Sequence, residues 1–433
     1  MRGADAKAVA ERGVDSLVKA AGTAVGFEAK RMLGSCYGAR VAVLAGPGLN
    51  GADGRIAAGW LRARGAHVDL VEVANQPSLL RGYDLVVDAA FGLGCSRPYA
   101  APEVPPETKV LAVDLPSGVD SDSGEVLGAP LQADVTLAIG ALKYAHVTGA
   151  AAALAGELRF AGLGIVSDFS DGLVEDGDLG PLVRAGRHDH KWTHAVAALC
   201  GSSLMPGAGE LVVRGALATG ASMVRLTSRG EIAEFVRIPP EAVHSNDVVV
   251  DPRCAAVVAG PGLGADAPAW LRERLKGIEG PVVLDADGLD RELLAEHQGT
   301  KPWWILTPHD GEFARLTGKP VPANRVQAVR DLARECGCVV LLKGPTTLIA
   351  DPAGVLRVVN SGTPALATAG SGDVLSGMIA GALARGNDSL NASALCAHLH
   401  GRVGARLRAY EVASDLPAAA TAFLQEIRLV TKD

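Results

Sequence analysis

The sequence predicts an α/β protein of two domains, the first built on a parallel, doubly wound sheet and the second on another α/β series. Three observations predict it. At 433 residues the chain exceeds one ordinary domain. Short, nearly continuous apolar runs recur along its length, the pattern of strands buried on both faces. Most of these runs end in an Asp, a Gly or another turn residue and lead into a helical period, as strand–loop–helix units require.

Composition sets the outer limits. Apolar residues make up 48% of the chain, enough for two cores and too much for a disordered one. Aromatics are only 4%, so Ala, Val, Leu and Gly must build those cores. The formal charge is −7, and there is no basic run, which argues against a nucleic-acid binder. Seven scattered cysteines without a C-x-x-C pair indicate neither a disulfide framework nor a zinc ribbon. No apolar run is long enough to span a membrane, and no signal-like N-terminus is present, so a soluble, cytoplasmic protein is expected.

In the first half, Val41–Ala45 reads as a buried strand, 46–54 as a glycine-rich loop, and Ile56, Trp60 and Ala63 as one helix face. Further strands are expected at Val68–Val73, Leu85–Asp88, Val110–Asp114 and Asp134–Ile139, the last leading to Lys143. The acidic stretch 167–178 reads as linker, which puts the first domain at 1–170 and the second at 187–433.

In the second half, strands are expected at Val196–Leu199, Met223–Leu226, Ala256–Ala259, Val282–Asp285, Trp304–Thr307, Val339–Leu342 and Thr347–Ala350. Helices fit 266–276, 310–317 and 323–335, another begins at Asp373, and two more fill 388–427. Gly370-Ser371-Gly372-Asp373 is the sharpest local signal. Glycines before a helix leave N–H groups free for an anion, and Asp373 stands where it can take a proton from an attacking hydroxyl. In isolation, the same four residues favour the blander reading, a capping Asp after a flexible loop. Other turns at strand ends shift that balance: Gly260–Gly264, Thr307–Glu312 with His309, Lys343-Gly344-Pro345-Thr346-Thr347, and Asn360–Gly362. In an open α/β sheet such turns converge on one crevice.

Together these residues, with His190-Lys191, Gly201–Ser203 and Gly207-Ala208, resemble the ribokinase-like domain of the NAD(P)H-hydrate dehydratases over roughly 187–430. In that family a nucleotide phosphorylates the hydroxyl of hydrated NADH or NADPH, and phosphate then leaves. The resemblance implies Asp373 as base and substrate contact, with Gly370, Ser371 and Gly372 as anion hole. It implies Lys343, Gly344, Pro345, Thr346, Thr347 and Gly372 as nucleotide contacts, and Gly262, Gly264 and His309 as contacts to the hydrated nicotinamide. Magnesium is implied, carried on phosphates, and ADP is the expected donor, because a fused arrangement resembles bacterial members.

The loop 46–54 gives only an imperfect dinucleotide fingerprint. Asn50-Gly51-Ala52-Asp53, Asp88 before Phe91-Gly-Leu-Gly94, Asp114-Leu-Pro-Ser-Gly118 and Lys143 instead resemble the NAD(P)H-hydrate epimerases, over about 1–165. That resemblance implies a Rossmann-like domain, potassium on Asn50, Asp88 and Ser117, substrate contacts from Asn50, Gly51 and Asp53, and Asp114 with Lys143 as the acid–base pair. An oxygen-only set of amide, carboxylate and hydroxyl suits a hard cation. Two positions depart from the family pattern. Leu49 replaces an asparagine, losing its hydrogen bonds, and Ala52 replaces a glycine, where Ala would resist a positive φ.

The expected function is therefore repair of hydrated NADH and NADPH by epimerisation and nucleotide-dependent dehydration, in a homo-oligomer with small-molecule partners only. The alternatives are a dehydratase carrying a non-catalytic first domain, and a small-molecule kinase of the ribokinase fold.

Overall fold

The computed structural model describes residues 2–165, 170–183, 190–230, 238–296, 302–408 and 411–430. The chain divides into two compact units, one of Met1–Phe169 with Pro322–Val326 and one of Ser170–Val321 with Gln327–Asp433.

The first unit opens with α1 (Arg2–Arg12) and α2 (Val14–Leu33), then β1 (Arg40–Ala45), α3 (Leu49–Arg62), β2 (His67–Glu72) and β3 (Leu85–Ala89). It continues through β4 (Tyr99–Ala100), β5 (Lys109–Val113), β6 (Gly128–Ala129), β7 (Val135–Ile139), α4 (Ala151–Leu154) and β8 (Glu157–Ala161). Six strands form one parallel sheet in the order β2-β1-β3-β5-β7-β8, and β4 pairs with β6 separately. The strands expected from the sequence are there because both sheet faces are covered. Val41, Val43, Leu85, Val87, Leu111 and Val113 point to one face, and Ala42, Leu44, Val86 and Ala112 to the other. The edge strand β8 escaped the sequence reading because its residues Glu157–Ala161 are half-buried or exposed and carry no apolar run.

The segment 46–54 is not a loop throughout. Helix α3 begins at Leu49, and the Ala52 N–H donates to the Gly48 carbonyl at 3.1 Å. Position 52 is therefore helical and needs no positive φ, so Ala fits there without strain.

The second unit begins with β9 (Gly172–Leu173), β10 (Ala195–Ser202), α5 (Pro206–Ala218), β11 (Met223–Arg229), β12 (Ala242–His244), β13 (Ala256–Ala259) and α6 (Ala267–Arg274). Next come β14 (Val282–Leu284), α7 (Arg291–Ala295), β15 (Ile305–Leu306), α8 (Asp310–Thr317), α9 (Arg325–Cys336), β16 (Val339–Leu342) and β17 (Thr347–Ala350). It ends with β18 (Leu356–Val359), α10 (Ser371–Ala384), α11 (Ser389–Gly404) and α12 (Leu416–Val430). The sheet order is β12-β11-β10-β13-β14-β15-β16-β17-β18-β9. It is parallel from β12 to β16, and β16, β17 and β18 form an antiparallel meander.

The linker reading of the acidic stretch needs correcting, although 166–169 and 184–189, with the expected boundary Arg187, lie outside the described residues. Gly172 and Leu173 pair in parallel with β18, and Val174, Leu179 and Leu182 are buried in the second core. The acidic side chains are anchors. Asp171 accepts from Arg330 at 2.6 Å and from the Leu356 N–H at 2.7 Å, and Asp176 contacts His398 and Arg402, both at 2.9 Å. Composition alone hid this, because each acid finds its partner more than 150 residues away.

Helix α10 is seated by close packing on α5. A Cβ on Gly377 would lie 2.1 Å from the Val212 carbonyl oxygen, and one on Gly215 would lie 2.3 Å from that of Val374. Larger residues would push the helices apart and carry the N-terminus of α10 with them.

Candidate active sites

The first site collects the residues that follow parallel strands at their C-terminal ends, where an open α/β sheet leaves its crevice. A cavity of about 450 Å³ is lined by Asn50, Asp53, Asp114 and Lys143, with Leu17 and Val18 of α2 among its apolar walls. Lys143 and Asp114 form a buried ion pair. The Lys143 ammonium also donates to the Ile139 carbonyl at 2.6 Å, and Asp114 accepts from the Ile139 N–H at 3.0 Å.

Asp114 has φ 66°, a left-handed conformation that costs a non-glycine residue about 1–3 kcal/mol. His146 braces it. Its Nδ1 accepts the Lys143 N–H at 2.9 Å, so Nε2 bears the proton and donates to the Asp114 carbonyl at 2.5 Å. Burial lowers the His146 pKa, which keeps the ring in that neutral tautomer.

Asp88 and Ser117 are fully buried together. The Ser117 hydroxyl donates to Asp88 Oδ1 at 2.6 Å, its N–H donates to Oδ2 at 2.8 Å, and the Phe91 N–H donates to Ser117 Oγ at 2.8 Å. Burial raises the Asp88 pKa. The Asn50 amide lies against Gly92 of the same turn, and its buried Nδ2 has no partner. Gly51 is tightly enclosed, since a Cβ there would fall 1.9 Å from the Gly46 carbonyl oxygen. Asp53 is buried, with its pKa pushed up to about 8 by desolvation and then by Asp114. Leu49 stands 61% exposed at the rim.

The second site surrounds the N-terminus of α10. Gly370 caps the helix at φ 88°, which only glycine adopts freely. A Cβ on Gly372 would lie 3.5 Å from Lys343 Nζ and 3.8 Å from Asp285 Oδ2. Lys343 donates to Asp285 Oδ1 at 2.9 Å and lies 3.6 Å from Glu312, so two buried acids hold the ammonium against the glycine turn. Ser376, one turn along α10, donates to Asp285 Oδ2 at 2.5 Å. The Asp373 pKa is raised to about 7, first by burial and then by the charge of Asp285, with Lys343 opposing.

A cavity of about 610 Å³ is lined by His309, Lys343, Pro345, Thr347, Gly372 and His400, and by Gly344 and Ser371 beside them. Gly262, Gly264, Thr346, Gly370 and Asp373 lie outside its wall. The Gly262 turn packs on Ala208, where a Cβ would approach to 2.6 Å, and the Gly264 N–H donates to Asp287 Oδ2 at 2.8 Å. His309 caps α8, its Nδ1 accepting from the Gly311 N–H at 3.0 Å, and it is more than half exposed to the cavity side.

Sequence reasoning passed over Asp285, Ser376, Asp287, His146 and His400 as site residues. Asp285 carries the same mark as Asp88 and Asp114, an Asp closing an apolar strand run, and could have been found by it. His400 has no such mark, being one more residue of a buried helix face.

The family described as NAD(P)H-hydrate dehydratase matches residues 196–426. The family described as YjeF-related protein N-terminus matches 14–81 and 70–145. A bifunctional NAD(P)H-hydrate repair enzyme from Mycobacterium tuberculosis is 37% identical over 408 residues, covering 86% of this chain and 84% of that protein. One from Methanopyrus kandleri is 30% identical, covering 90% of this chain and 87% of its own. Among solved structures, an ADP/ATP-dependent NAD(P)H-hydrate dehydratase from Bacillus subtilis is 28% identical, with a TM-score of 0.51, covering 59% of this chain and 97% of that one. A ribokinase-like protein from Enterococcus faecalis, 20% identical with a TM-score of 0.52 over 60% of this chain and 98% of that one, shares the fold. The chain belongs to the family of bifunctional NAD(P)H-hydrate repair enzymes.

Proposed function

We propose that the two units divide the repair of hydrated NADH and NADPH, the first interconverting the (R) and (S) hydrates and the second dehydrating the (S) form. The chain is an isomerase and a lyase in one polypeptide. The observation that carries the second half is Asp373. It stands in the first turn of α10, directly after the Gly370–Gly372 turn, and burial tunes its carboxyl to about 7, which suits a base at neutral pH.

In the dehydration, Asp373 takes the proton of the substrate hydroxyl as its oxygen attacks the terminal phosphoryl group. The N–H groups of Gly370 and Gly372 and the Lys343 ammonium stabilise the charge that develops there, the Ser371 N–H being taken by the Thr368 carbonyl at 3.3 Å. Phosphate then leaves where hydroxide could not. Lys343 to Thr347 and Gly372 hold the nucleotide, and His309, Gly262 and Gly264 contact the hydrated ring. We infer ADP as donor, with AMP and phosphate as products. Among the described residues no group of three His, Cys, Asp or Glu side chains is spaced to hold a metal. Magnesium would accordingly ride on the phosphates, neutralising their charge.

In the epimerisation, Asp114 and Lys143 form the acid–base pair beside a substrate held by Asn50, Gly51 and Asp53. The turn 88–92 fits potassium by its chemistry. Asp88 is buried with only Ser117 and backbone N–H groups against it, and Asn50 turns a buried, unpartnered amide toward the same turn. Exchanging the amide's nitrogen and oxygen would supply a further ligand atom. Potassium would neutralise Asp88 there, with Asn50, Asp88 and Ser117 as ligands.

The test is purified protein with (S)-hydrated NADH, comparing ADP and ATP by NADH absorbance and by the nucleotide released. Faster turnover with ADP and formation of AMP are expected, and turnover with ATP alone would overturn the donor assignment. A second reading, an inert first unit, draws on Leu49 at the cavity rim. It would stand if the wild-type protein left (R)-to-(S) conversion at the spontaneous rate.

A further inference from the structure

In the proposed dehydration Gly262, Gly264 and His309 meet the hydrated ring and Asp373 its hydroxyl. The pyrophosphate of the substrate has no partner among them. The turn after β13 that carries the two glycines is tied to the base through Asp287, which accepts from the Gly264 N–H at 2.8 Å and whose charge is felt at Asp373. Arg229, the last residue of β11, reaches the same turn. Its Nη1 donates to the Leu263 carbonyl at 3.1 Å and lies 3.8 Å from where a Cβ on Gly264 would stand. Among the described residues, chain neighbours aside, no other atom comes within 4 Å of that position, which leaves room for a ligand. A guanidinium carries five N–H donors. Two of those of Arg229 are engaged, at Leu263 and at Asp266 Oδ2, the latter at 2.7 Å. The Arg229 side chain is 33% exposed and that of Asp266 78%, and an ion pair so open to water is weak. The Leu263 carbonyl thus aims the side chain, and donors remain for an anion.

We infer that Arg229 binds the pyrophosphate of the hydrated dinucleotide in the second unit. This rests on the dehydration reading above. A guanidinium fork meets phosphate oxygens with charge-assisted hydrogen bonds, which are stronger than neutral ones. One ribose separates the nicotinamide from the pyrophosphate, so a cation on the turn that meets the ring is well placed for it. The 2′-phosphate of hydrated NADPH lies at the far, adenosine end of the molecule. The pyrophosphate is common to both substrates, so a contact to it serves hydrated NADH and NADPH equally. Lys343 is committed to the donor phosphates, and a separate cation at Gly264 keeps the two charged ligands on different partners. The pyrophosphate does not react, so the contact is the same in the ground state and the transition state and acts on KM rather than on kcat.

The test uses the full chain at saturating ADP, with absorbance of the reduced nicotinamide as readout. Arg229→Met keeps an apolar stem and removes the charge. It should raise KM for (S)-hydrated NADH and NADPH alike by about 10–100-fold, as loss of a hydrogen bond to a charged group does, with kcat within a few-fold. Added salt should raise the wild-type KM and leave that of the variant nearly unchanged. The (S) hydrate of reduced nicotinamide riboside has the same ring and no phosphate, and its kcat/KM should be equal in variant and wild type. An unchanged KM for both dinucleotides would overturn the assignment. So would a loss confined to hydrated NADPH, which would put Arg229 on the 2′-phosphate, or an equal loss with the riboside, which would make it only a support of the Leu263 turn. Wild-type protein that fails to dehydrate the (S) hydrates would overturn the dehydration reading itself, and this contact with it.

Discussion

In the first unit Asp114 and Lys143, which follow neighbouring strands, form an ion pair near Asp53 on a helix. In the second, Asp285 and Lys343, which follow β14 and β16, form an ion pair near Asp373 on a helix. Both helix carboxyls are raised by burial and by the paired Asp, to about 8 and about 7. The company of each pair differs. Asp114 and Lys143 are bound to the backbone of Ile139 and braced by His146, in a cavity walled by apolar side chains. Asp285 and Lys343 are instead tied to α10 through Ser376, and the ammonium lies against the glycine turn at its start. The first arrangement suits proton traffic on an uncharged ring. The second directs a positive charge at a place where a phosphoryl group can sit. In the proposed function, two carboxyls and one ammonium in each unit serve different reactions because their neighbours differ.

The comparison assumes that each site is complete within its own unit, and cutting the chain tests this most severely. A fragment starting at Ser170 should dehydrate the (S) hydrate. One starting at Arg187 lacks Val174, Leu179 and Leu182, each worth about 1.5–3 kcal/mol of burial. That is a large part of the ~5–15 kcal/mol of a whole domain, so the shorter fragment should unfold at much lower denaturant. Equal stability of the two fragments would show that β9 and the turn after it are dispensable.

Asp373→Asn should lower dehydration by about 10²–10⁴-fold and leave epimerisation intact. Because the base works deprotonated, wild-type dehydration should rise with pH to a plateau, with a midpoint near 7. Asp285→Asn removes a negative neighbour that raises Asp373, so that midpoint should move to lower pH. A midpoint unmoved, or moved upward, would break the electrostatic link between the two residues.

Lys143→Met leaves Asp114 buried without its counter-charge. Breaking such a pair typically costs about 3–5 kcal/mol, read here as a lower denaturation midpoint for the first unit. A loss below about 1 kcal/mol would mean that the backbone contacts of Asp114 suffice without the ammonium.

The smallest effect concerns the two departures from the family pattern. Ala52→Gly should destabilise α3 by about 1 kcal/mol with no gain in epimerisation, because the position is helical. Leu49→Asn, at an exposed rim, should change KM by a few-fold at most. A large gain in kcat from either variant would show that the family residues act in the chemistry.

Much was legible in the sequence because the relevant signals are local. An apolar run of four to six residues closed by an acid is a strand ending at the crevice, and Asp88 and Asp114 could be located that way, Asp373 by the glycines before its helix, and Lys143 by the resemblance to a known family. Asp285 bore the same mark and was passed over. The edge strand β8, and β9 in the acidic stretch, left too short or too polar a run to notice.

What the sequence by itself determined is the α/β class, the two-part organisation, and which side chains stand at the strand ends and helix starts. Tertiary structure alone decided which of them pair, and in what protonation state. Asp114 meets Lys143 across 29 residues and Asp285 meets Lys343 across 58. The carboxyls of Asp53 and Asp373 are raised by loss of water and by a second acid brought close in the fold. The apolar run of a strand is a property of consecutive residues, so a sequence displays it directly. Desolvation and Coulomb interaction depend on what surrounds a group in space, and only the folded chain defines those surroundings.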